Sequence, residues 1–250
     1  MRVFDGVSSS NYSRTRPMYP PEFYYWLFQQ VSKPNVAWDC ACGTGQVALD
    51  LAAYFERVEA SDISESQIHA ASPHRRIHYQ VSPAENTPYE DQSFDLVCVA
   101  QALHWFDLEV FWRELKRVLK PGGMFVCMGY NRLSIGPQED KAINEHVLPL
   151  LAPYWPPESR LLWNQYDDVE FPVELISVPK FELTCHWTVT QVQDLMLSWS
   201  SSQAFIAEQG KSGEEALLQS MEPLQAAWQT PNQKQDITLP FFVKAGRFSG

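Results

Sequence analysis

No apolar run in this chain approaches the roughly 20 residues that a membrane-spanning helix needs. The first residues, MRVFDGVSSSNYSRTRP, lack the apolar centre of a secretory leader, so a cytoplasmic location is expected. Positive charge is scarce: 19 Lys and Arg stand against 30 Asp and Glu, a formal net charge of -11, with no Lys/Arg run long enough to form a basic patch. Such a surface repels phosphate backbones and anionic lipid heads, so neither nucleic acid nor membrane is an expected partner. The five cysteines (Cys40, Cys42, Cys98, Cys127 and Cys185) are odd in number and irregularly spaced, which excludes a disulfide framework and reads as buried, reduced thiols. Cys40 and Cys42 lack a second ligand pair at zinc-site spacing, so no metal is expected. Repeats and low-complexity tracts are absent. What remains is a chain of 250 residues, 45% hydrophobic, long enough for a sizeable core in one domain or two.

Glycine is sparse too, with 11 residues, yet WDCACGTGQ (Trp38 to Gln46) places Gly43 and Gly45 two positions apart. Glycine carries an entropic cost wherever it sits, and is kept where a turn is too tight, or a ligand too close, for a side chain. The surrounding pattern places this pair. Val36 to Cys40 reads as a strand. Val47, Ala48, Leu51, Ala52 and Phe55 then share a helical face. Val58 to Ser61 is a second strand ending at Asp62, and Ser64-Glu65-Ser66-Gln67 has the form of a capping box opening the next helix. Ile77 to Val81 and Phe94 to Ala100 are the third and fourth strands, the latter (FDLVCVA) the most apolar and therefore central. Asp107 caps a helix running to about Leu119, with Phe111, Leu115 and Val118 inward, stopped by Pro121-Gly122-Gly123. Met124 to Tyr130 is a fifth strand.

This alternation implies a doubly wound α/β fold: a mostly parallel sheet with helices on both faces. Gly43 and Gly45 fall in its first strand-to-helix turn, at the strands' carboxyl ends, where such sheets bind ligands on a helix N-terminus. The second half differs. Seven prolines between residues 131 and 180, with Tyr154, Trp155, Trp163 and Tyr166 among them, suggest a helical cover inserted after strand five. Lys180 to Trp187 is a strand candidate, residues 189–229 read as helical, and ITLPFFVKA (Ile237 to Ala245) reads as one closing strand with Pro240 at an edge or bulge.

The glycine loop alone does not choose a ligand. Gly43-Thr44-Gly45-Gln46-Val47-Ala48 satisfies a dinucleotide pattern, and Asp62 lies where an acid would bind the ribose of NAD, FAD or S-adenosylmethionine alike. Asp39, just before the loop, would repel a pyrophosphate and suits an amino-acid ammonium. SPAENTP (Ser82 to Pro88), SFDLVCVAQALHWFD (Ser93 to Asp107) and LKPGG (Leu119 to Gly123) follow in order. Together these stretches resemble the class I S-adenosylmethionine-dependent methyltransferases of the type 11 group. AQALHWFD, with YSRTRPMYP at Tyr12 to Pro20, is most similar to the trans-aconitate methyltransferase-like branch.

The resemblance implies a Rossmann-like, seven-stranded, mostly parallel sheet with an antiparallel last strand. Residues 1–250 would form a single methyltransferase domain, with 1–33 an N-terminal lid and first helix and 34–130 the cofactor-binding core. Residues 131–179 would be the substrate cover, and 180–250 would complete the sheet. S-adenosylmethionine would be the cofactor, S-adenosylhomocysteine its product, and a small molecule the substrate. Asp39, Cys40, Ala41, Gly43 and Gln46 would border the methionine part; Asp62 would bind the ribose, with Ile63 under the adenine. Ala84 and Glu85 would flank the adenine, and Ala100, Gln101 and Ala102 would face the sulfonium, followed by His104 and Trp105. Tyr12, Arg16 and Tyr19 would form the lid, and Trp105 and Tyr130 would meet substrate. One position departs from the family's D-x-G-x-G-x-G: Ala41 stands at the first glycine, tolerable where its φ is negative.

Methyl transfer from a sulfonium asks the protein mainly for positioning and exclusion of water. A carboxylate acceptor arrives ionised and needs cations, for which Arg14, Arg16 and Arg132 are candidates. A phenol, alcohol or amine would need a base, for which His104 is the candidate; the alternative for His104 is to shape its loop with Trp105. Two other readings stand beside the enzyme: a non-catalytic cofactor-binding protein on the same fold, motivated by Ala41, and an NAD-dependent oxidoreductase, which leaves Asp39 unexplained.

Overall fold

The computed structural model describes residues 16–250, so Tyr12 and Arg14 lie outside the described residues. The chain folds as two compact units, each made of separate segments. The larger comprises residues 19–131, 160–181 and 241–250 and holds the main sheet. The described part of the other comprises residues 16–18, 132–159 and 182–240.

In the sheet unit, helix α1 (Pro21–Gln30) precedes β1 (Val36–Cys40), α2 (Gln46–Leu51), β2 (Arg57–Asp62), α3 (Glu65–His69), β3 (Ile77–Val81) and β4 (Phe94–Ala100). Helix α4 (Leu108–Val118) leads into β5 (Leu119–Tyr130). The strand order is β3-β2-β1-β4-β5-β9-β6, where β6 is Glu174–Leu175 and β9 is Phe241–Arg247. The pairs from β3 through β5 are parallel; β9 runs antiparallel to β5 and to β6. This is the Rossmann-like sheet expected, with the two-residue β6 as an added edge. The central strands are apolar on both faces because helices cover both: Leu96, Val97, Cys98 and Val99 of β4 are wholly buried. Trp38 on β1 is also wholly buried, stacks on Phe94 at 5.6 Å, and gives its indole N–H to Ser61 Oγ at 2.9 Å. A side chain of that size takes roughly 150–250 Å² out of water, and its one polar atom is satisfied.

Local rules explain the boundaries. Asp107 accepts the Val110 N–H at 3.2 Å and starts α4, whose Phe111, Leu115 and Val118 are buried. Pro121-Gly122-Gly123 ends the helix's influence as a bulge inside β5, where the register with β4 slips between Phe94↔Leu119 and Leu96↔Met124; Gly122 has φ 77°. Ser64 does precede α3, but it forms no capping box, because its hydroxyl pairs with Ser66 Oγ at 2.9 Å. A true capping box sits elsewhere, at Thr188 and Gln191.

The other unit holds α5 (Pro137–Ala142), a π-turn (Ile143–Val147), α6 (Leu148–Leu151), and later β7 (Leu183–Trp187). Helices α8 (Val189–Leu197), α9 (Ser200–Gln209), α10 (Lys211–Ser220) and α11 (Glu222–Trp228) follow, then β8 (Gln235–Leu239). Two expectations are corrected here. ITLPFFVKA is not one strand. Pro240, which has no N–H for a ladder, divides it: β8 pairs with β7 in a separate two-stranded sheet, and β9 joins the main sheet. Residues 180–250 therefore only partly complete the sheet. Residues 160–179, assigned above to the cover, pack in the sheet unit, with a short helix α7 (Ser159–Trp163) at its start and Tyr166 wholly inside the core. No helix of the described residues is long and apolar enough to cross a membrane.

Candidate functional site

The carboxyl ends of the parallel strands carry the sequence-predicted residues of the sheet unit. The turn after β1 is built from residues of positive φ: Ala41 at 58°, Gly43 at 55° and Gly45 at 82°. The condition on which an alanine was read as tolerable at position 41, a negative φ, is therefore not met. A left-handed alanine costs roughly 1–2 kcal/mol, and the surrounding hydrogen bonds hold it there. Cys42 N–H donates to Ser61 O at 2.9 Å, Gly43 N–H to Asp62 Oδ2 at 2.8 Å, and Gly45 N–H to Cys42 O at 2.9 Å. Asp62 Oδ1 accepts Ser64 N–H at 2.9 Å, so its carboxylate fastens the loop to the end of β2. Burial raises the Asp62 carboxyl, and the N–H groups of Ser64 and Gly43 oppose the shift.

A side chain at Gly45 has no room. A Cβ there would lie 2.3 Å from the Tyr79 hydroxyl. Tyr79, on β3, is a residue that sequence reasoning missed; nothing in the local pattern around it shows that its ring reaches the loop.

Asp39 is 1% exposed, and neither carboxylate oxygen has a hydrogen-bond partner among the described residues. Burial pushes its carboxyl up to about 8; the nearby Ala48 N–H opposes this, and the charges of Asp62 and Asp50 add to it. A buried, unpartnered carboxylate beside a glycine loop is the complement of a cationic group. The loop N–H groups and Asp62 supply the polar remainder, so these residues fit an S-adenosyl amino acid and suit a pyrophosphate poorly. Ile63 and Val81 flank Asp62 at the ends of β2 and β3, 43% and 48% exposed. Ala84 is buried, and Glu85 Oε1 accepts Asp107 N–H at 3.1 Å, tying the turn after β3 to the start of α4. Cys40 is buried and its thiol is raised by that burial, as is Cys98.

At the ends of β4 and β5, Gln101 has φ 55° and its amide pairs with both backbone groups of one residue: Nε2 donates to Tyr130 O at 3.2 Å, and Oε1 accepts Tyr130 N–H at 3.3 Å. This amide is committed to holding Tyr130, a use the sequence did not suggest. Gly129 makes the approach feasible, since a Cβ there would meet Phe242, Gln101 and Leu162 within 2.8 Å. Tyr19 packs against Tyr130 and Phe241, with ring centroids 6.4 and 5.7 Å away. Ala102 is buried and Ala100 half-buried. His104 is buried, Nδ1 lies 3.0 Å from Tyr166 Oη, and Trp105 packs on its ring at 4.7 Å. Burial lowers the imidazole to about 4, so it is neutral near pH 7 and a weak base. Tyr166, missed because it sits among the prolines of the expected cover, is its partner.

Two of the remaining assignments, Arg16 and Arg132, fall in the other unit. Arg16 Nη2 donates to Ser198 O at 3.4 Å. Arg132 lines a cavity with Trp199. Gln46 opens α2 in the sheet unit.

A family model described as a methyltransferase domain matches residues 38–127. A Dictyostelium discoideum protein named as a methyltransferase is 30% identical over 254 residues, covering 95% of this chain and 92% of its own length. A solved structure from Anaeromyxobacter dehalogenans, described as a type II methyltransferase, is 36% identical and superposes with a TM-score of 0.82 over 93% of this chain and 98% of that one. A methyltransferase structure from Anabaena variabilis, from an antibiotic biosynthesis pathway, is 20% identical with a TM-score of 0.58 over 92% and 99% of the two chains; that likeness concerns the fold alone.

Proposed function

The chain belongs to the type 11 family of class I S-adenosylmethionine-dependent methyltransferases, and from that premise we propose that it forms methyl esters of small carboxylic acids, as a member of the trans-aconitate methyltransferase-like branch. S-adenosylmethionine would supply a methyl group already activated on a sulfonium. The observation that carries the cofactor assignment is Asp39, buried and unpartnered next to a loop whose N–H groups are organised by Asp62.

Each residue then has a role set by its surroundings. Asp39 supplies negative charge next to the loop, and ligand binding there favours its ionised form. Asp62 holds the loop through Gly43 and retains acceptor capacity for the two ribose hydroxyls. Ile63 offers an apolar surface to the adenine, with Ala84 and Glu85 at its edge. Ala100, Ala102 and the Gln101–Tyr130 bridge wall the reacting end, with Tyr19 against Tyr130. His104, neutral and bonded to Tyr166, shapes this wall and withholds no proton from a carboxylate acceptor, which needs none removed. Arg16 and Arg132, with Arg14 outside the described residues, are the cations proposed to orient the acid. The two units are proposed to act as one methyltransferase domain.

The first test is calorimetric titration with S-adenosylhomocysteine, with NAD and Asp62→Ala beside it. Micromolar binding that Asp62→Ala removes, and none for NAD, is expected; absence of binding to the wild-type chain would favour the non-catalytic reading. The acceptor class is tested by methyl transfer to matched acids, alcohols, phenols and amines. Turnover of acids unchanged in both Arg16→Ala and Arg132→Ala would refute the clamp.

A further inference from the structure

His104 sits on a short turn (Leu103–Trp105) after β4, and its ring partner, Tyr166, comes from 62 residues away. The chain bends sharply to deliver that partner. Helix α7 ends at Trp163, and Gln165 and Tyr166 then take φ of 54° and 57°, two consecutive left-handed residues without a glycine. Gln165 N–H closes the turn on Leu162 O at 2.9 Å, and Tyr166 N–H on Leu161 O at 2.8 Å. Larger residues persist in this conformation where the surrounding structure holds them, and they cluster at functional sites. The turn carries the Tyr166 ring into the core, 1% exposed and edge-on to Phe242 at 5.5 Å. A phenylalanine would supply the same ring, so the hydroxyl needs its own reason.

That hydroxyl has one hydrogen to give, and His104 Nδ1, at 3.0 Å, is its only side-chain partner among the described residues. Two arrangements satisfy the distance. If Nδ1–H donates, the hydroxyl hydrogen is left buried without an acceptor, which costs more than the bond returns. If the hydroxyl donates, both groups are satisfied. The imidazole is neutral, lowered to about 4 by burial, so its single ring proton then sits on Nε2. The His104 backbone N–H opposes the rise that burial gives the Tyr166 phenol; a donor already faces the oxygen, which favours donation outward from it. Nε2 has no hydrogen-bond partner among the described residues, and His104 remains 6% exposed. Asp107, the nearest acid along the chain, is committed to α4 through Val110 N–H. What this pair offers a ligand is an N–H donor.

We propose that His104 is a hydrogen-bond donor to the methyl acceptor: Nε2–H binds an oxygen of the acid, and Tyr166 is the positioning residue that fixes this tautomer. His104 gives a hydrogen bond and no proton, so it is not the base that an alcohol, phenol or amine would need. The donor role rests on the acid reading above for its ligand; the tautomer does not.

The test uses the full chain with isotope-labelled histidine, read by NMR correlation of ring nitrogens with ring protons at pH 7. The His104 signals are identified by their loss in His104→Gln. In the ligand-free chain Nε2 should carry the proton and Nδ1 none, and Tyr166→Phe should abolish that preference. Isovalerate and isoamylamine are then titrated at one ionic strength, with and without S-adenosylhomocysteine. Isovalerate should shift Nε2–H saturably; isoamylamine, which has no acceptor, should not. A glutamine amide reaches where Nε2 lies, and an asparagine amide only where Nδ1 lies. By calorimetry, His104→Asn should therefore weaken isovalerate at least about tenfold more than His104→Gln, as expected for loss of a charge-assisted bond. A proton on Nδ1, a charged ring at pH 7, or an unchanged tautomer in Tyr166→Phe would overturn the assignment to Tyr166. Equal shifts from acid and amine, no saturable shift with isovalerate, or equal losses in the two His104 variants would overturn the donor role. The tautomer is read without a ligand, and S-adenosylhomocysteine binding on the same samples reports on the Asp39–Asp62 site, so failure here and failure of the methyltransferase reading are distinguishable.

Discussion

The two units build their sites by opposite means. In the sheet unit, the loop, Asp39 and Asp62 lie within 24 consecutive residues, Asp39 to Asp62, and are held by backbone hydrogen bonds and left-handed residues at Ala41, Gly43 and Gly45. In the other unit, the cavity joins Arg132 to Trp199 across a π-turn, and its wall is made by side chains. Backbone geometry accepts almost no substitution, because a displaced peptide moves every bond that follows. A wall of side chains accepts exchange at the cost of volume or one polar contact. The sheet unit should therefore respond sharply to single atoms, and the other unit mildly.

The largest effect is expected at Asp39. Its folded carboxyl titrates near 8 against an ordinary 3.8. The folded chain therefore keeps a proton that the unfolded chain loses, and stability falls as pH rises from about 4 to about 8. Asp39→Asn should remove that slope and stabilise the ligand-free protein above pH 8 by up to about 5 kcal/mol, while weakening S-adenosylhomocysteine at least tenfold; urea unfolding at several pH values and calorimetry measure both. A wild-type curve with no loss between pH 6.5 and pH 8, the range that the His104 contribution leaves uncovered, would remove Asp39 from the comparison.

Gly45→Ala should cost about 3 kcal/mol, combining a left-handed alanine with a collision against Tyr79. Rescue by Gly45→Ala/Tyr79→Phe would be partial, since most of the ring remains. Near-wild-type stability of the single variant would show that the loop is not strict.

His104 gives the opposite pH signature. Its folded imidazole is lowered to about 4 from 6.5, so its contribution is present above pH 6.5 and is lost as pH falls toward 4. The loss is on the order of 3 kcal/mol. Between pH 4 and pH 6.5 this offsets the opposite slope of Asp39, so the acid slope should show in Asp39→Asn and disappear when His104→Asn is added, read from stability curves between pH 4 and pH 7. Persistence of the slope would assign it to another group.

Ala41→Gly should stabilise by about 1 kcal/mol, because glycine adopts the observed φ of 58° without strain. A loss of stability would mean that the alanine methyl packs usefully. The smallest effect is expected in the other unit: Leu148→Phe should change stability by less than about 1 kcal/mol, being half-buried at an open cavity. A loss comparable to Gly45→Ala would break the contrast between the units.

Much of the sheet unit was legible because its signals are local. FDLVCVA is β4 residue for residue, and Asp107 caps α4 through a contact three residues away. Gly43, Gly45, Asp39 and Asp62 announce a ligand loop through type and spacing. Where reading failed, a distant partner had intervened. Ser64-x-x-Gln67 has the form of a box, but Ser66 took the hydroxyl. An alanine at position 41 was read as tolerable at negative φ, yet its φ is 58°, and the two residues that follow it, Cys42 and Gly43, are bound to Ser61 and Asp62 at the end of β2. Tyr166 looked like part of a cover and is the buried partner of His104, 62 residues earlier in the chain.

The sequence by itself determined the alternation that makes a parallel sheet, the turn that carries the glycine loop, and the acids on either side of it. These follow from hydrophobic period, capping and glycine's conformational freedom, all of which act over a few residues. Tertiary structure decided the rest. It left Asp39 without a partner, committed Gln101 to Tyr130, split ITLPFFVKA at Pro240 between two sheets, and opened a π-turn onto a cavity with Arg132 and Trp199. Burial and hydrogen-bond choice depend on which groups arrive from elsewhere in the chain, and no local pattern contains that information.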